Sequence, residues 1–128
     1  MDVWVFDLEV FLYDWTFVAK QYKKDNLIKI HNDVEALARF MQRPNLVLGG
    51  FNNKGYDNYM VKAILAGYDN VTLKQISNQI VTLPKGQNVW DIPLVKKAPF
   101  FNFANFDIKS DMQLGMSLKS IASNLFLD

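Results

Sequence analysis

The sequence predicts an α/β domain built on a mixed sheet with flanking helices, and three observations support this class. The chain opens with a continuous apolar segment, Val3–Phe6, which is typical of a central strand covered on both faces. Two segments of alternating character follow and predict an antiparallel meander with the first strand. After a helical pattern, a second short apolar segment, Leu46–Phe51, predicts a strand parallel to the first and beside it.

Polar residues separate the three N-terminal strands. A polar turn joins the second and third strands, and Asp25 with Asn26 is expected at its tip. The predicted strand bounds are Met1–Val10, Asp14–Tyr22 and Leu27–His31.

A helix is predicted after the third strand, because Asn32 or Asp33 is a suitable N-cap and an apolar stripe follows at helical spacing. The helix is expected to end near Arg43 and Pro44. The residues expected on its buried face are Val34, Leu37, Ala38, Phe40 and Met41.

The middle of the chain combines a strand, a polar loop and a helix. Glycines in Leu46–Phe51 allow another backbone or a ligand to come close. The polar loop Asn52–Tyr59 leads into a helical pattern that Gly67 ends as C-cap, so Asp57 falls in the first turn of this helix. Open α/β sheets build their sites at such a place, where a parallel strand ends and a helix begins.

The C-terminal half has a weaker pattern. Pro93 disfavours a regular strand around it, so an edge strand or an irregular segment is expected there. Asp107 lies near the end of the last predicted strand. The predicted elements, in order, are a helix over Val71–Val81, a turn over Leu83–Gln87, the segment Val89–Val95, a strand over Phe100–Ile108 and a helix over Leu114–Leu127.

Length and composition predict one intracellular domain. A chain of 128 residues can form one core and is too short for two ordinary domains. Fourteen basic and thirteen acidic side chains leave the chain almost neutral, which excludes the electrostatics of a polybasic nucleic-acid binder. The lack of cysteine excludes disulfides, a thiolate nucleophile and a zinc ribbon. With no membrane-length apolar run and no signal-peptide pattern, a cytoplasmic protein is expected.

Asp7 and Glu9 are the first candidate site residues. Positions two apart in a strand point to the same side, so the pair is costly unless a cation or hydrogen-bond donors neutralise it. Carboxylate oxygens at such a strand end favour Mg²⁺ or Mn²⁺. The alternative is a strand that simply ends in a polar turn, because a three-residue pattern has low specificity.

Two motifs make the chain resemble the DEDD class of 3′-to-5′ exonucleases, most closely the exonuclease domains of phage family B-like DNA polymerases and related phage exonucleases. The first motif is Asp-x-Glu after an apolar strand, matched by FDLEV at Phe6–Val10. The second is Asn, three residues, an aromatic and Asp, matched by NNKGYD at Asn52–Asp57. A third likeness is SLKSIASNL at Ser117–Leu125. The likeness covers nearly the whole chain and implies a ribonuclease H-like fold.

The resemblance also implies a site and a reaction. Asp7, Glu9 and Asp57 would be the catalytic residues and would hold two Mg²⁺ or Mn²⁺ ions for two-metal hydrolysis of phosphodiester bonds. The implied substrate is single-stranded DNA or a frayed DNA 3′ end. For the aromatic and the asparagine of the second motif, a core aromatic and an ordinary turn residue remain the alternatives. The residues expected to contact nucleic acid are Asn52, Asn53, Lys54 and Tyr56.

The resemblance leaves the fourth acid of a DEDD enzyme unassigned. Relatives carry it on a later helix in a Tyr-x-x-x-Asp or His-x-x-x-x-Asp pattern, and no Tyr-x-x-x-Asp occurs in the last part of this chain. Of the late acids Asp107, Asp111 and Asp128, only Asp107 is retained as a candidate, although relatives have a non-ligand Asp at this strand end. Residues 1–128 are therefore expected to be a single domain truncated at its C-terminal end. The apolar patch left exposed would bind a second chain, a polymerase or a replisome protein.

The leading hypothesis is a metal-dependent 3′-to-5′ exonuclease domain of a phage DNA replication protein in the host cytoplasm, inactive as this fragment if the fourth acid is essential. One alternative keeps the fold without the chemistry, as a fragment that binds DNA or a replisome protein. Another is a structural or inhibitor protein whose acids are ordinary surface residues.

Overall fold

The computed structural model describes residues 2–98 and 103–107, and it confirms the α/β class. A five-stranded mixed sheet in the order β3-β2-β1-β4-β5 is flanked by helices, which is consistent with a ribonuclease H-like arrangement. The strands are β1 (Asp2–Val10), β2 (Trp15–Gln21), β3 (Leu27–His31), β4 (Leu46–Gly50) and β5 (Ala104–Asp107). The helices are α1 (Val34–Met41), α2 (Asp57–Leu65), α3 (Asn70–Val81) and α4 (Pro93–Lys97), with a 3₁₀ turn over Val89–Asp91.

The first strand lies at the centre of the sheet, as its apolar sequence predicts. β1 pairs antiparallel with β2 and parallel with β4, and β4 pairs parallel with β5. Trp4, Phe6 and Leu8 alternate along β1 and are almost completely buried. Because β1, β4 and β5 run in the same direction, their carboxyl ends lie at one edge of the sheet, where sites of α/β proteins are usually built.

An aromatic cluster packs α1 against the sheet. Phe40 of α1 meets Trp4 edge to face with ring centroids 5.2 Å apart, and it lies 5.4 Å from the ring of Phe17. Phe6 stacks with Phe17 at 5.6 Å. Aromatic pairs at such distances contribute about 0.5–1.5 kcal/mol each beyond the burial of their area. The cluster therefore holds α1 on the face formed by β1 and β2.

β4 and β5 approach each other closely at a glycine. Gly49 is paired with Phe106 in the parallel register, and the Phe106 ring occupies the space that a Cβ on Gly49 would need. The close approach expected at the glycines of this strand is thus made by a side chain. Gly49 determines how near the β5 side chains can come to β4.

Capping residues lie at the start of α1 and at the end of α2, where the sequence predicts them, and at the start of α3, where no cap was predicted. Asp33 is the N-cap of α1 and accepts a hydrogen bond from the Ala36 N–H at 3.0 Å. Asp69 caps α3 in the same way through the Thr72 N–H at 2.8 Å. Gly67 follows α2 with a φ of +90°, a backbone conformation that favours glycine after a helix.

Two predictions in the N-terminal half are wrong in detail. The turn between β2 and β3 has its tip at Tyr22 and Lys23 rather than at Asp25 and Asn26. Lys23 adopts a left-handed φ of +62°, and a hydrogen bond of 3.2 Å from the Lys24 N–H to the Gln21 carbonyl closes the turn early. In α1, Val34 is exposed in the first turn, whereas Leu37, Phe40 and Met41 form the buried face.

The segment Val89–Val95 contains no strand, because it forms the 3₁₀ turn and the start of α4. Pro93 is the first residue of α4, where a missing N–H breaks no helical hydrogen bond and the fixed φ is already helical. The proline that argued against a regular strand therefore begins a helix.

Among the described residues, no helix is both long and apolar enough to cross a membrane. Several predictions fall on residues outside the described part of the chain. They are the strand positions 100–102 and 108, the helix Leu114–Leu127, the Ser117–Leu125 likeness, and the acids Asp111 and Asp128.

Candidate active site

β1 carries two carboxyl groups on the same side of the sheet. Phe6 and Leu8 point to the buried face, and Asp7 and Glu9 alternate with them, so both acids point away from that core. Asp7 is partly buried and Glu9 is exposed. Burial raises the pKa of the Asp7 carboxyl, the Glu9 carboxylate raises it further, and a hydrogen bond with the Leu8 backbone acts in the opposite direction. The two acids thus repel each other at the end of the central strand.

Asp57 is the first residue of α2, which begins shortly after β4 ends beside β1. The residue is only 6% exposed. Burial raises the pKa of its carboxyl group to about 8, with further contributions from the carboxylates of Asp7 and Asp107 and an opposing one from the Leu8 backbone. A carboxyl group with this pKa is mostly protonated at neutral pH. Acids from three parts of the chain therefore influence one another at this edge of the sheet.

Asp107, the last residue of β5, is 3% exposed and lies beside the loop after β4. Its Oδ1 accepts a hydrogen bond from the Asn52 N–H at 3.0 Å, and its Oδ2 accepts one from the Lys54 N–H at 3.3 Å. Both oxygens of the candidate fourth acid are thus engaged with backbone amides of the segment that leads to Asp57.

A network of asparagine amides holds the same segment. Asn53 is completely buried, and its Nδ2 donates to Asn58 Oδ1 at 3.2 Å and to Asn105 Oδ1 at 3.5 Å. Asn58 Nδ2 also donates to Asn105 Oδ1, at 3.0 Å. Sequence reasoning missed Asn58 and Asn105. Strand alternation offers a signal for the second, since Asn105 stands two positions before Asp107 and shares its face.

The other predicted nucleic-acid contacts differ in their accessibility. Asn52 and Lys54 are exposed, whereas Tyr56 is partly buried and its hydroxyl lies 2.6 Å from the Ser77 hydroxyl of α3. Burial raises the pKa of Tyr56, the bond to Ser77 lowers it, and the charges of Asp57 and Asp7 raise it again. Ser77 is 5% exposed and was not predicted, because a lone serine inside a helix carries no sequence signal.

The donor chemistry of these acids fits a hard divalent cation, because all their ligand atoms are carboxylate oxygens. Burial is the main cause of the raised pKa of Asp57, and repulsion by Asp7 and Asp107 adds to it; a bound cation would relieve this repulsion. Within residues 2–98 and 103–107, however, no three acidic, histidine or cysteine side chains are grouped closely enough to hold a metal ion. Ligation by three carboxylates therefore requires side-chain rotation, for which the exposed Glu9 has the most freedom.

Comparisons with protein-family models, with curated proteins and with solved structures find no match to the chain. The roles of the acids are therefore argued from their own positions, charges and hydrogen bonds.

Proposed function

We propose that the chain is a metal-dependent 3′-to-5′ exonuclease domain of the DEDD type, belonging to a phage DNA replication protein. The observation that carries this proposal is the electrostatic coupling of Asp57, at the start of α2, to Asp7, near the end of β1. Placing two carboxyl groups close together at the carboxyl ends of neighbouring parallel strands costs stability, because the groups either repel each other or must take up a proton. A functional reason is therefore expected for keeping them there.

Two bound Mg²⁺ or Mn²⁺ ions would supply an activated water and stabilise the leaving oxygen of a phosphodiester. Asp7, Glu9 and Asp57 are the residues that would hold these ions. We assign these three residues because two divalent cations close together repel each other and need several carboxylate ligands around them.

The exposed part of the loop after β4 would bind the DNA 3′ end. Lys54 is exposed and stands three positions before Asp57, so its ammonium group would contact a phosphate of single-stranded or frayed DNA. Asn52 is exposed beside it, and the partly buried ring of Tyr56 would form a wall of the groove. Asn53 is completely buried, so it would not contact DNA and would instead stabilise the conformation of the loop. With such a substrate the protein would act in the host cytoplasm, and its partner would be a polymerase, a replisome protein or a second chain.

A second candidate function keeps the fold without hydrolysis, as a fragment that binds DNA or a replisome protein. Two observations favour it. The high pKa of Asp57 allows this acid to be neutral and buried without any cation. Both oxygens of Asp107 already accept backbone hydrogen bonds, so this acid is a poor substitute for the missing fourth ligand.

The test is a Mn²⁺ titration of the melting temperature combined with an assay on DNA labelled at its 5′ end. An exonuclease is expected to be stabilised by Mn²⁺ and to shorten single-stranded DNA from the 3′ end, and Asp7→Ala should abolish both effects. Asp25→Ala, which removes an exposed acid of the β2–β3 turn, is the matched control and should retain both. Intact DNA, together with an Mn²⁺ response that Asp7→Ala does not change, would exclude the exonuclease and favour the binding fragment.

A further inference from the structure

Two polar side chains of β5 face the loop that leads to Asp57. Asn105 and Asp107 are two positions apart in the strand and therefore lie on the same side of the sheet. Between them they accept four hydrogen bonds from the segment Asn52–Asn58. We call this pair the β5 clamp. These hydrogen bonds connect β5 directly to the loop.

The Asp107 half of the clamp fixes the start of the loop. Its carboxylate accepts from the backbone N–H groups of Asn52 and Lys54, one with each oxygen. Asn52 has a left-handed φ of +58°, a conformation that an asparagine tolerates but does not prefer. Hydrogen bonds to a buried charge are stronger than neutral ones, so they can hold the backbone in this conformation.

The Asn105 half fixes the end of the loop, next to Asp57. Its Oδ1 accepts from the amides of Asn58 and Asn53, and its own Nδ2 donates to the Phe103 carbonyl at 3.0 Å, which sets the orientation of the amide. Asn53 Oδ1 is buried with no hydrogen-bond partner among the described residues. Among the described residues, burial of the Asn53 side chain is therefore offset only through its Nδ2, and loss of Asn105 would leave that group with Asn58 alone.

We infer that Asn105 and Asp107 are positioning residues that hold the loop after β4, so that Asp57 lies beside Asp7 at the edge of the sheet. Under this inference Asp107 acts through Asn52 and Lys54 and is not the fourth metal ligand. The consequence for catalysis depends on the proposed function, whereas the mechanical role of the clamp does not.

Amide hydrogen exchange of the full chain tests the clamp without reference to catalysis. Asp107→Asn is expected to make the amides of Asn52 and Lys54 exchange about tenfold faster or more, because a charge-assisted bond to each is weakened. Asp33→Asn is the matched control, since Asp33 also accepts a backbone N–H but at the start of α1, so only exchange near Ala36 should change. Unchanged exchange at Asn52 and Lys54 in Asp107→Asn would overturn the inference, whether or not the protein cleaves DNA.

Asn105→Leu then separates positioning from metal ligation. It removes the acceptor of the clamp at similar side-chain size and cannot remove a carboxylate ligand. We expect Asn105→Leu and Asp107→Asn both to raise the Mn²⁺ concentration needed for half-maximal stabilisation, and to lower kcat about tenfold with a small change in KM. A loss of Mn²⁺ response in Asp107→Asn with a normal response in Asn105→Leu would identify Asp107 as a ligand and overturn the inference. If the parent chain shows no Mn²⁺ response, the proposed function fails, and the exchange experiment still decides the clamp.

Discussion

The carboxyl group of Asp57, at the first residue of α2, lies within the electrostatic influence of Asp7, near the carboxyl end of β1. The parallel pairing of β1 with β4 produces this relationship, because α2 starts just beyond the end of β4. Burial and the charges of Asp7 and Asp107 together raise the pKa of Asp57 to about 8, so protonation of this carboxyl group is coupled to folding.

The first prediction concerns the pH dependence of stability. The folded pKa of Asp57 is about 8 against an ordinary value of 3.8, so its stabilising contribution is complete below about pH 4 and is lost as the pH rises through about 8. In metal-free buffer, Asp57→Asn should therefore stabilise the protein relative to the parent. The gain should grow between pH 5 and pH 8 to a few kcal/mol at most, at about 1.36 kcal/mol per pH unit.

Urea denaturation at several pH values measures this difference directly. Asp25→Asn, in an exposed turn, is the control and should follow the parent at every pH. Parallel pH profiles for Asp57→Asn and the parent would show that Asp57 is ionised at neutral pH in the folded protein, contrary to its burial.

A second prediction links cation binding to proton release. Because Asp57 is mostly protonated at pH 7, binding of Mn²⁺ to its carboxylate should release close to one proton per protein. Calorimetric titration in two buffers of different ionisation enthalpy measures this number. The Asp57→Asn variant should bind Mn²⁺ more weakly and release much less than one proton per protein. A binding enthalpy that is the same in both buffers would mean that Asp57 does not take part.

A third prediction tests the contact between β4 and β5. Gly49→Ala places a methyl group where the Phe106 ring lies, and overpacking of this kind typically costs about 1–3 kcal/mol. In the double variant Gly49→Ala/Phe106→Ala the ring is absent and the clash is removed. This double variant should therefore be little less stable than Phe106→Ala alone. If the loss of stability in the double variant equals the sum of the losses in the two single variants, the two residues do not contact each other.

A fourth prediction tests the bond that holds Tyr56 against α3. Tyr56→Phe and Ser77→Ala each remove one partner of the 2.6 Å hydrogen bond, and each should reduce the free energy of unfolding by about 1 kcal/mol or somewhat more. The double variant should cost less than the sum of the two, because no polar group is then left without its partner. Strict additivity in the cycle would indicate that the hydroxyl groups are not bonded to each other.

Local sequence patterns anticipated the framework of the site. The apolar run of β1 predicted a central strand, and strand alternation placed Asp7 and Glu9 on a common side. The cap at Asp33 and the pattern before Gly67 predicted where α1 begins and where α2 ends. These features depend on residues close together in the chain, so the sequence contains their signal.

Other features depended on backbone choices that local patterns do not distinguish. Lys23 takes a left-handed conformation that moves the tip of the β2–β3 turn, and Pro93 begins a helix although it also suits an irregular segment. Either outcome satisfies the local sequence, so packing around each segment decides between them.

The sequence by itself determined the α/β class and the order of the strands β1 to β4. It also determined that Asp7 and Glu9 share one side of β1 and that Asp57 lies in the first turn of α2. Periodicity and capping act over a few residues, so the sequence contains their signal. Only the tertiary structure decided that Asp107 and Asn105 hold the loop before Asp57, and that the pKa of Asp57 is high. The physical reason is that parallel pairing of β4 with β5 joins residues remote in the chain, and that desolvation depends on everything that surrounds a group.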